Sequence, residues 1–416
     1  MKLLLGALLL SLFSLQPLSA EPLALAELID IALKNNPETE KVWWNAKRAA
    51  AVVGTAKSEY YPTMDIQANA SHGREVKFLN GPETIFTNYG ADLCLNYLVY
   101  DFGERKATVQ AAKDALKAAN WSSDFALQGI VAEVAAHYYE CVNAEELLKT
   151  KKESLHDAQR ILDAAQELHQ AGLRRATDLS TSRAAVAQIQ MELAQQRAHV
   201  AIAYGKLMSS LGLSADNKLE IAMMPEGMQK PEFSEGVPQL IAVAEKQRAD
   251  LLAKKATLGE MESRLTRAKR LYLPKFRAMG KGGWDEYTKH KDSGYNYTVG
   301  VALDVPLFRG FDSIYRKRLA TADVEMTLAE IKELQVAIAL EVLSYSASVT
   351  GSGEALQWSD NYLDESTKSY EGSLESYKAG LQNIFDLIQA QRNLSDARMK
   401  QVQARTQWLV SLAQLA

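Results

Sequence analysis

The chain has 416 residues, of which 47% are hydrophobic and 24% charged, and its formal net charge at pH 7 is −4. This balance, with a mean hydropathy of −0.20, excludes a polytopic helical membrane protein, a disordered chain and a basic nucleic-acid-binding protein. Only 10 residues are proline, and none lies between Pro82 and Pro225 or after Pro306. Because proline breaks helix interiors, both tracts have room for very long helices.

The N-terminus predicts a secretory signal peptide over residues 1–20. Lys2 precedes an apolar run from Leu3 to Leu15, and the small residue Ala20 ends the segment. The run is too short to cross a membrane as a helix. The alternative is a buried N-terminal helix, which explains less well why the positively charged Lys2 stands directly before the apolar run.

The rest of the chain repeats itself. Ala56–Pro62 aligns with Ala268–Pro274 at an offset of 212 residues, and Ala171–Leu173 aligns with Ala379–Leu381 at an offset of 208. The sequence therefore predicts a tandem duplication, with a four-residue deletion between Pro274 and Tyr297. Its predicted parts are a first repeat over 21–216, an inter-repeat linker over 217–236 and a second repeat over 237–416.

Each repeat is predicted to begin with one helical stretch, at about 23–60 and 237–272, that stops before a proline. A strand pair follows, which alternates between apolar and polar residues most clearly over Tyr89–Val99 and Tyr295–Val305. Asp65–Ala70 alternates more weakly, and Phe276–Trp284 is rich in glycine. This pattern fits a transmembrane barrel, and it fits equally well a soluble sheet with one face exposed to solvent.

A long helical hairpin ends each repeat. Apolar residues keep heptad-like spacing in the predicted helix Glu104–Ala171, which at 1.5 Å per residue extends roughly 100 Å and needs coiled-coil partners. The second hairpin is predicted as Asp312–Ala379 and Leu381–Ala416. Cys94 falls in a strand and Cys141 far along a helix, so we expect no disulfide between them.

Four strands per chain cannot close a barrel, and lipid tolerates no open sheet edge, so a membrane location requires several copies. Three copies would supply 12 strands. The chain also carries a set of short motifs in a fixed order: Asn36-Pro37, Tyr60-Tyr61-Pro62, Leu98–Gly103 with its counterpart Val305–Gly310, and the two Ala-Gly-Leu turns. In these motifs and in this architecture the mature chain resembles the TolC family of trimeric outer-membrane export channels.

The resemblance implies a mainly α fold with β: a trimeric 12-stranded outer-membrane β-barrel continuous with a long α-helical barrel that extends into the periplasm. It implies a passive homotrimeric exit duct in outer-membrane lipid, gated at its periplasmic tip. The implied partners are a periplasmic adaptor and an inner-membrane ABC or RND pump, in type I protein secretion or multidrug efflux. Leu98–Gly103 resembles the protein-secretion branch slightly more.

The same resemblance assigns roles to residues of the two turns. Gly172 and Gly380 have the conformational freedom that the reversal of a helix requires. This structural role is sufficient to explain why glycine stands at both positions. The turns also correspond to the adaptor-docking ends of the family, with Leu173 and Leu381 as candidate contacts.

Tyr377 matches the gate tyrosine of the family, and Asp178, preceded by Thr177, matches its hydrogen-bond partner. Gln382 stands where the family has a second latch, an arginine. Arg174 and Arg175 on the other turn are alternatives for that latch, although a solvated loop is the favoured interpretation of both.

Asp386 matches a lumen-facing aspartate of the family, so three copies would form an acidic ring that favours cations. Gln389 replaces a second aspartate. The alternative is that Asp386 caps the returning helix.

The sequence carries no sign of catalysis. Its six histidines lack a ligand-spaced partner, and no phosphate-binding loop or nucleophile motif is found, so we expect no enzyme activity, metal or cofactor. The competing interpretation is a soluble periplasmic coiled-coil adaptor or scaffold, because adaptors also combine helical hairpins with β domains.

Overall fold

The computed structural model describes residues 22–75, 84–217, 219–223, 236–287 and 292–415. The predicted signal peptide over 1–20 and most of the predicted linker lie outside these ranges. Contacts divide the chain into two compact units. Unit 1 comprises residues up to 37 together with 129–233 and 345–416, and unit 2 comprises residues 38–128 and 234–344.

The described elements follow the order α-α-β-β-α-α twice. They are α1 (Leu25–Asn35), α2 (Pro37–Ser58), β1 (Thr63–Glu75), β2 (Thr84–Tyr100), α3 (Glu104–Gln170), α4 (Ala176–Ser210), α5 (Val237–Gln247), α6 (Ala249–Arg270), β3 (Lys275–Tyr287), β4 (Asp292–Asp304), α7 (Asp312–Lys378) and α8 (Ile384–Leu415). The mainly helical class is therefore confirmed, as are the four strands and the long helical hairpins. The duplication itself stays a prediction.

Each predicted first helix is in fact two helices, so the prediction of single stretches over 23–60 and 237–272 is wrong. The first break lies at Asn36, which is extended with ψ at 125° because Pro37 follows it and disfavours helical backbone in the preceding residue. The second break lies at Arg248, with ψ at 123°, and no proline follows there.

Ion pairs surround the second break. The Arg248 guanidinium donates to the Asp250 carboxylate, with 2.8 Å between Nη2 and Oδ2, and also pairs with Glu341 on α7. Asp250 in turn lies in the first turn of α6, where a carboxylate interacts favourably with the helix dipole.

The four strands form one antiparallel sheet in unit 2, in the order β1-β2-β3-β4. Gly90 pairs with Asn69 on one side and with Asp285 on the other, which fixes the register across β1, β2 and β3. Residues 76–83 separate β1 from β2, and residues 288–291 separate β3 from β4. The second connection is four residues shorter, in agreement with the predicted deletion between Pro274 and Tyr297.

Each unit has its own apolar cores. In unit 2, buried side chains of α6 and α7 form one cluster (Leu251, Ile331, Ile338 and Val342). In unit 1, a cluster beside the two hairpin turns joins α3, α7 and α8. We call it the tip core, and it comprises Ile161, Ala164, Ala165, Tyr370, Leu374, Tyr377, Ile384, Leu387, Ile388 and Leu394.

Candidate functional site

The two hairpin turns have the same backbone geometry. Gly172 has a φ of +75° and Gly380 a φ of +79°, the left-handed conformation that favours glycine. The N–H groups of Leu173 and Leu381 each donate, at 2.9 Å, to the carbonyl five residues earlier. This is the pattern by which a helix ends around a left-handed glycine, so the predicted conformation of both glycines is confirmed.

The leucines that follow these glycines face solvent. Leu173 is 71% exposed and Leu381 is 84% exposed in the single chain. A leucine after a helix-ending glycine commonly packs against its own helix. Here both leucines point into solvent instead. Their role as adaptor contacts stays a prediction.

Tyr377 lies inside the tip core and is 0% exposed. Its hydroxyl is buried and has no hydrogen-bond partner among the residues that the structure describes. The expected bond to Asp178 is thus not formed within one chain. Burial raises the pKa of Tyr377, the negative charge of Asp178 raises it further, and Arg174 opposes both. Asp178 is therefore close enough to act on the phenol electrostatically, and its role as a latch stays a prediction.

Arg174 reaches across from the first turn to the second. Its Nη2 donates to the carbonyl oxygen of Gln382 at 2.6 Å, and its guanidinium carbon lies 4.7 Å from the centre of the Tyr377 ring. The favoured interpretation of Arg174 as a solvated loop residue is therefore wrong, because two groups of α7 and its turn bind it. Arg175 is exposed, as that interpretation expects, and so is Thr177.

In the single chain the side chain of Gln382 contacts its own hairpin, and its part in a latch stays a prediction. Its amide nitrogen lies 3.5 Å from the hydroxyl of Ser373 on its own hairpin, and its main-chain carbonyl receives Arg174. Arg174 and Gln382 are 208 residues apart, the same offset that aligns Gly172 with Gly380.

Asn383, not Asp386, caps α8, and Asp386 lies in the first turn of that helix. The main-chain N–H of Asp386 donates to Asn383 Oδ1 at 2.9 Å, and Asn383 Nδ2 donates back to Asp386 Oδ2 at 2.7 Å. The Asn383 side chain in this way satisfies one of the free N–H donors of the helix N-terminus. The carboxylate is also exposed, and its role in an acidic ring stays a prediction.

Further from the turns, α3 is joined to α8 by buried polar contacts that the sequence did not indicate. The hydroxyls of Ser154 and Ser395 lie 2.8 Å apart, and Ser154 is wholly buried. No local pattern relates positions that are 241 residues apart. Only a helix pairing of known register would have revealed them.

The sheet of unit 2 has one apolar and one polar face. On β4, Tyr295, Tyr297 and Val301 are exposed together with Val299, which is 82% exposed. On the opposite face, Asp92 is buried, and Lys281 Nζ lies 2.9 Å from its carboxylate. The alternation predicted from sequence is confirmed, and the apolar face has no covering element among the described residues.

Helix α7 also leaves an apolar stripe uncovered. Val336, Leu340 and Leu343 recur at intervals of four and three residues and are all exposed, whereas Ile338 and Val342 on another face are buried. One 18-residue segment of this helix has a mean hydropathy of 1.2, and only 17% of that segment is buried. This heptad-like spacing is typical of a helix that packs against a second helix.

The part of the chain that the structure describes contains no group of three or more His, Cys, Asp or Glu side chains that is arranged to hold a metal. Cys94 and Cys141 are both free thiols. Burial raises the pKa of Cys141 to about 12, so its thiol stays protonated and is a poor nucleophile.

Comparison with known proteins agrees with this geometry. The family model described as "outer membrane efflux protein" matches residues 28–213 and 240–416. The protein CyaE of Bordetella pertussis is 28% identical over 94% of this chain and 84% of its own length. The outer membrane protein TolC of Vibrio cholerae is 21% identical over 94% of this chain and 89% of its own length.

Solved structures show the same fold. The outer-membrane channel OprN superposes with a TM-score of 0.84 at 17% identity, over 94% of this chain and 88% of its own. The outer membrane protein VceC of Vibrio cholerae gives a TM-score of 0.80 at 19% identity, over 94% of each chain.

Proposed function

This chain belongs to the outer membrane efflux protein family, and from that membership we propose that three copies of it form a passive exit duct of a tripartite export system. The family and the fold are those of outer-membrane channels rather than of enzymes. The observation that carries the proposal is the four-stranded sheet, which has two open edges and an uncovered apolar face.

The open edges support a closed ring of copies. Among the described residues, neither β1 nor β4 has a strand on its outer side. Since all neighbours in the sheet are antiparallel, β1 and β4 run in opposite directions, and β4 of one copy can pair with β1 of the next in the same antiparallel manner. Three copies then give a barrel of about 12 strands without a free edge, which lipid requires.

The two faces support the outer membrane as the medium. Val299 and Val301 point to the side that lipid would cover, and Asp92 with Lys281 points to the side that water would fill. Transmembrane barrels alternate in this way along every strand. The exposed stripe of α7, which contains Val336, Leu340 and Leu343, supports helix packing between copies.

The proposed partners are a periplasmic adaptor, which docks at Leu173 and Leu381, and an inner-membrane ABC or RND pump. An external energy source is required because the chain carries no nucleotide-binding motif. Leu98–Gly103 favours type I protein secretion as the system. Efflux of small molecules is the second candidate, because a relative of Pseudomonas putida with 23% identity is named a pyoverdine export outer membrane protein.

A soluble periplasmic adaptor or scaffold is the competing function, and family membership argues against it. The test is membrane fractionation combined with single-channel recording in planar bilayers. We expect the wild type to require detergent for extraction and to form pores. Recovery in the soluble periplasmic fraction, without pores, would refute the proposal.

A matched pair of variants sharpens this test. Val299→Arg places a charge on the apolar face, which costs about 2–4 kcal/mol near the middle of the bilayer, so we expect loss of the trimer from the outer membrane. Thr298→Arg places the same charge on the opposite face and should assemble normally. Equal assembly of both variants would contradict the assignment of the faces.

A further inference from the structure

The polar face of the sheet holds a buried carboxylate oxygen without a hydrogen-bond donor. Asp92 of β2 is only 5% exposed, and Lys281 Nζ lies 2.9 Å from one of its oxygens, Oδ2. The other oxygen, Oδ1, is buried and has no hydrogen-bond partner among the residues that the structure describes. A buried charged oxygen that lacks a donor is costly, so a ligand that binds it would be stabilising.

Gly283 of β3 is the floor beneath this oxygen. It pairs with Asp92 on β2 and with Asn296 on β4, so these two side chains stand on either side of it. A Cβ at Gly283 would overlap Asp92 Oδ1, which therefore lies over the glycine. A glycine inside a strand often marks a place where another group approaches the backbone closely.

A second carboxylate reaches the same place. Asp285 lies two residues from Gly283 on β3, so its side chain stands on the same face of the sheet. Its Oδ2 accepts a hydrogen bond from Nδ2 of Asn296, the side chain beside Gly283. The side chains of Asp92, Asp285 and Asn296 thus surround one glycine, although they are far apart in the sequence.

The spacing of the two carboxylates suits one ion between them. Because Asp92 pairs with Gly283, Asp92 and Asp285 are diagonal neighbours on paired strands. Diagonal neighbours are about 7–8 Å apart, which leaves room for a cation that contacts an oxygen of each. Lys281 keeps Oδ2 of Asp92, so the cation would take the unpartnered Oδ1 without displacing the lysine.

Carboxylate and amide oxygens are the ligands of hard cations. Ca²⁺ accepts about six to eight oxygens in flexible geometry, whereas Mg²⁺ demands a nearly ideal octahedron. Three side chains on three different strands meet the looser requirement more readily. Only two of them are charged, and Lys281 offsets part of that charge, so the affinity would be modest.

We propose that Asp92, Asp285 and Asn296 form a Ca²⁺ site over Gly283 on the polar face of the sheet, with water as the remaining ligands. The bound ion would join β2, β3 and β4. The site goes beyond the proposed function, because all its residues belong to the sheet of one chain. We expect a dissociation constant of about 0.1–1 mM, the range of weak extracellular sites.

The test is isothermal titration calorimetry of the full-length protein in detergent, with up to about 10 mM Ca²⁺. We expect one ion per chain, and binding of Mg²⁺ at least about tenfold weaker. Asp285→Asn keeps the shape of the side chain and the pair of Asp92 with Lys281, but removes one charge. It should weaken Ca²⁺ binding at least about tenfold.

Asp304→Asn is the matched control. It removes the same charge from an exposed aspartate at the end of β4, which pairs with Arg277. We expect it to bind Ca²⁺ like the wild type. Absence of binding by the wild type, or equal weakening in Asp285→Asn and Asp304→Asn, would overturn the site.

Asn296→Asp tests the site in the opposite direction. It supplies a third carboxylate beside Gly283, so we expect Ca²⁺ to bind several-fold more tightly, since affinity rises with the charge of the ligands. Unchanged or weaker binding would overturn the site, also where Asp285→Asn fails to fold. Pore formation is a separate measurement. Pores without Ca²⁺ binding refute only the site, and Ca²⁺ binding without pores refutes only the exit duct.

Discussion

Arg398 of α8 forms an ion pair with Asp157 of α3, with 2.7 Å between Nη1 and Oδ2, and the aspartate is only 5% exposed. The pair joins the first long hairpin to the second within one chain. A charge pair of this kind adds little net stability, but loss of one partner leaves the other charge buried and uncompensated.

We therefore expect Arg398→Ala to lower the free energy of unfolding by about 3 kcal/mol. Arg160, 3.7 Å from Asp157, can compensate the buried charge only in part, because its own side chain is largely solvated. The measurement is chemical denaturation in detergent, followed by circular dichroism. Arg392→Ala, an exposed arginine on the same helix, is the control and should change stability little. Equal losses in the two variants would show that Asp157 does not depend on Arg398.

The unpartnered hydroxyl of Tyr377 allows a sharp test of the predicted latch. If Asp178 of a neighbouring copy, or a rearranged Asp178 of the same copy, accepts this hydroxyl in the assembled tip, Tyr377→Phe and Asp178→Ala should each raise the conductance of the closed channel. Single-channel recording measures the effect. If the hydroxyl stays unpartnered, Tyr377→Phe removes only a buried unsatisfied group, and conductance will equal that of the wild type.

Asp386→Asn separates the two roles of this residue. An asparagine oxygen can still accept from Asn383 Nδ2, so the cap of α8 is retained while the negative charge is lost. We expect reduced selectivity for cations, measured as a shift of the reversal potential under a salt gradient. Asp216→Asn, in the loop after α4, is a remote control. Unaltered selectivity in Asp386→Asn would leave only the contact with the capping residue Asn383.

Tyr370 predicts an alkaline loss of stability. Burial, reinforced by the charge of Asp157, raises the pKa of Tyr370 to about 12, whereas the unfolded chain ionises near pH 10. The unfolded state therefore releases its proton first, and stability falls by about 1.4 kcal/mol per pH unit between pH 10 and 12, with no contribution below pH 10. Thermal unfolding midpoints of the wild type should fall faster in this range than those of Tyr370→Phe. Tyr362→Phe, a more exposed tyrosine on the same helix, should keep the wild-type slope.

The sequence predicts most of the elements because their signals are local. Glu104 and Asp312 begin the long helices as expected, and even the glycine-rich segment from Phe276 is a strand. The break at Arg248 was missed because no proline or glycine marks it in the sequence.

The two hairpin turns were found from the sequence, since turn glycines have a strong signature. The contact of Arg174 was not, because its acceptor is a main-chain carbonyl, and main-chain groups are present at every position. The pairing of Arg398 with Asp157 likewise needs the register of α8 against α3, which periodicity alone does not give.

The open sheet edges have a genetic consequence. In a ring closed by β4 of one copy against β1 of the next, every copy takes part in two unlike junctions. A copy whose β1 edge is damaged can still be recruited through its intact β4 edge, and it then leaves the ring open. Such an allele would be dominant negative, because in cells that produce both forms the rings with a defective member outnumber the intact ones.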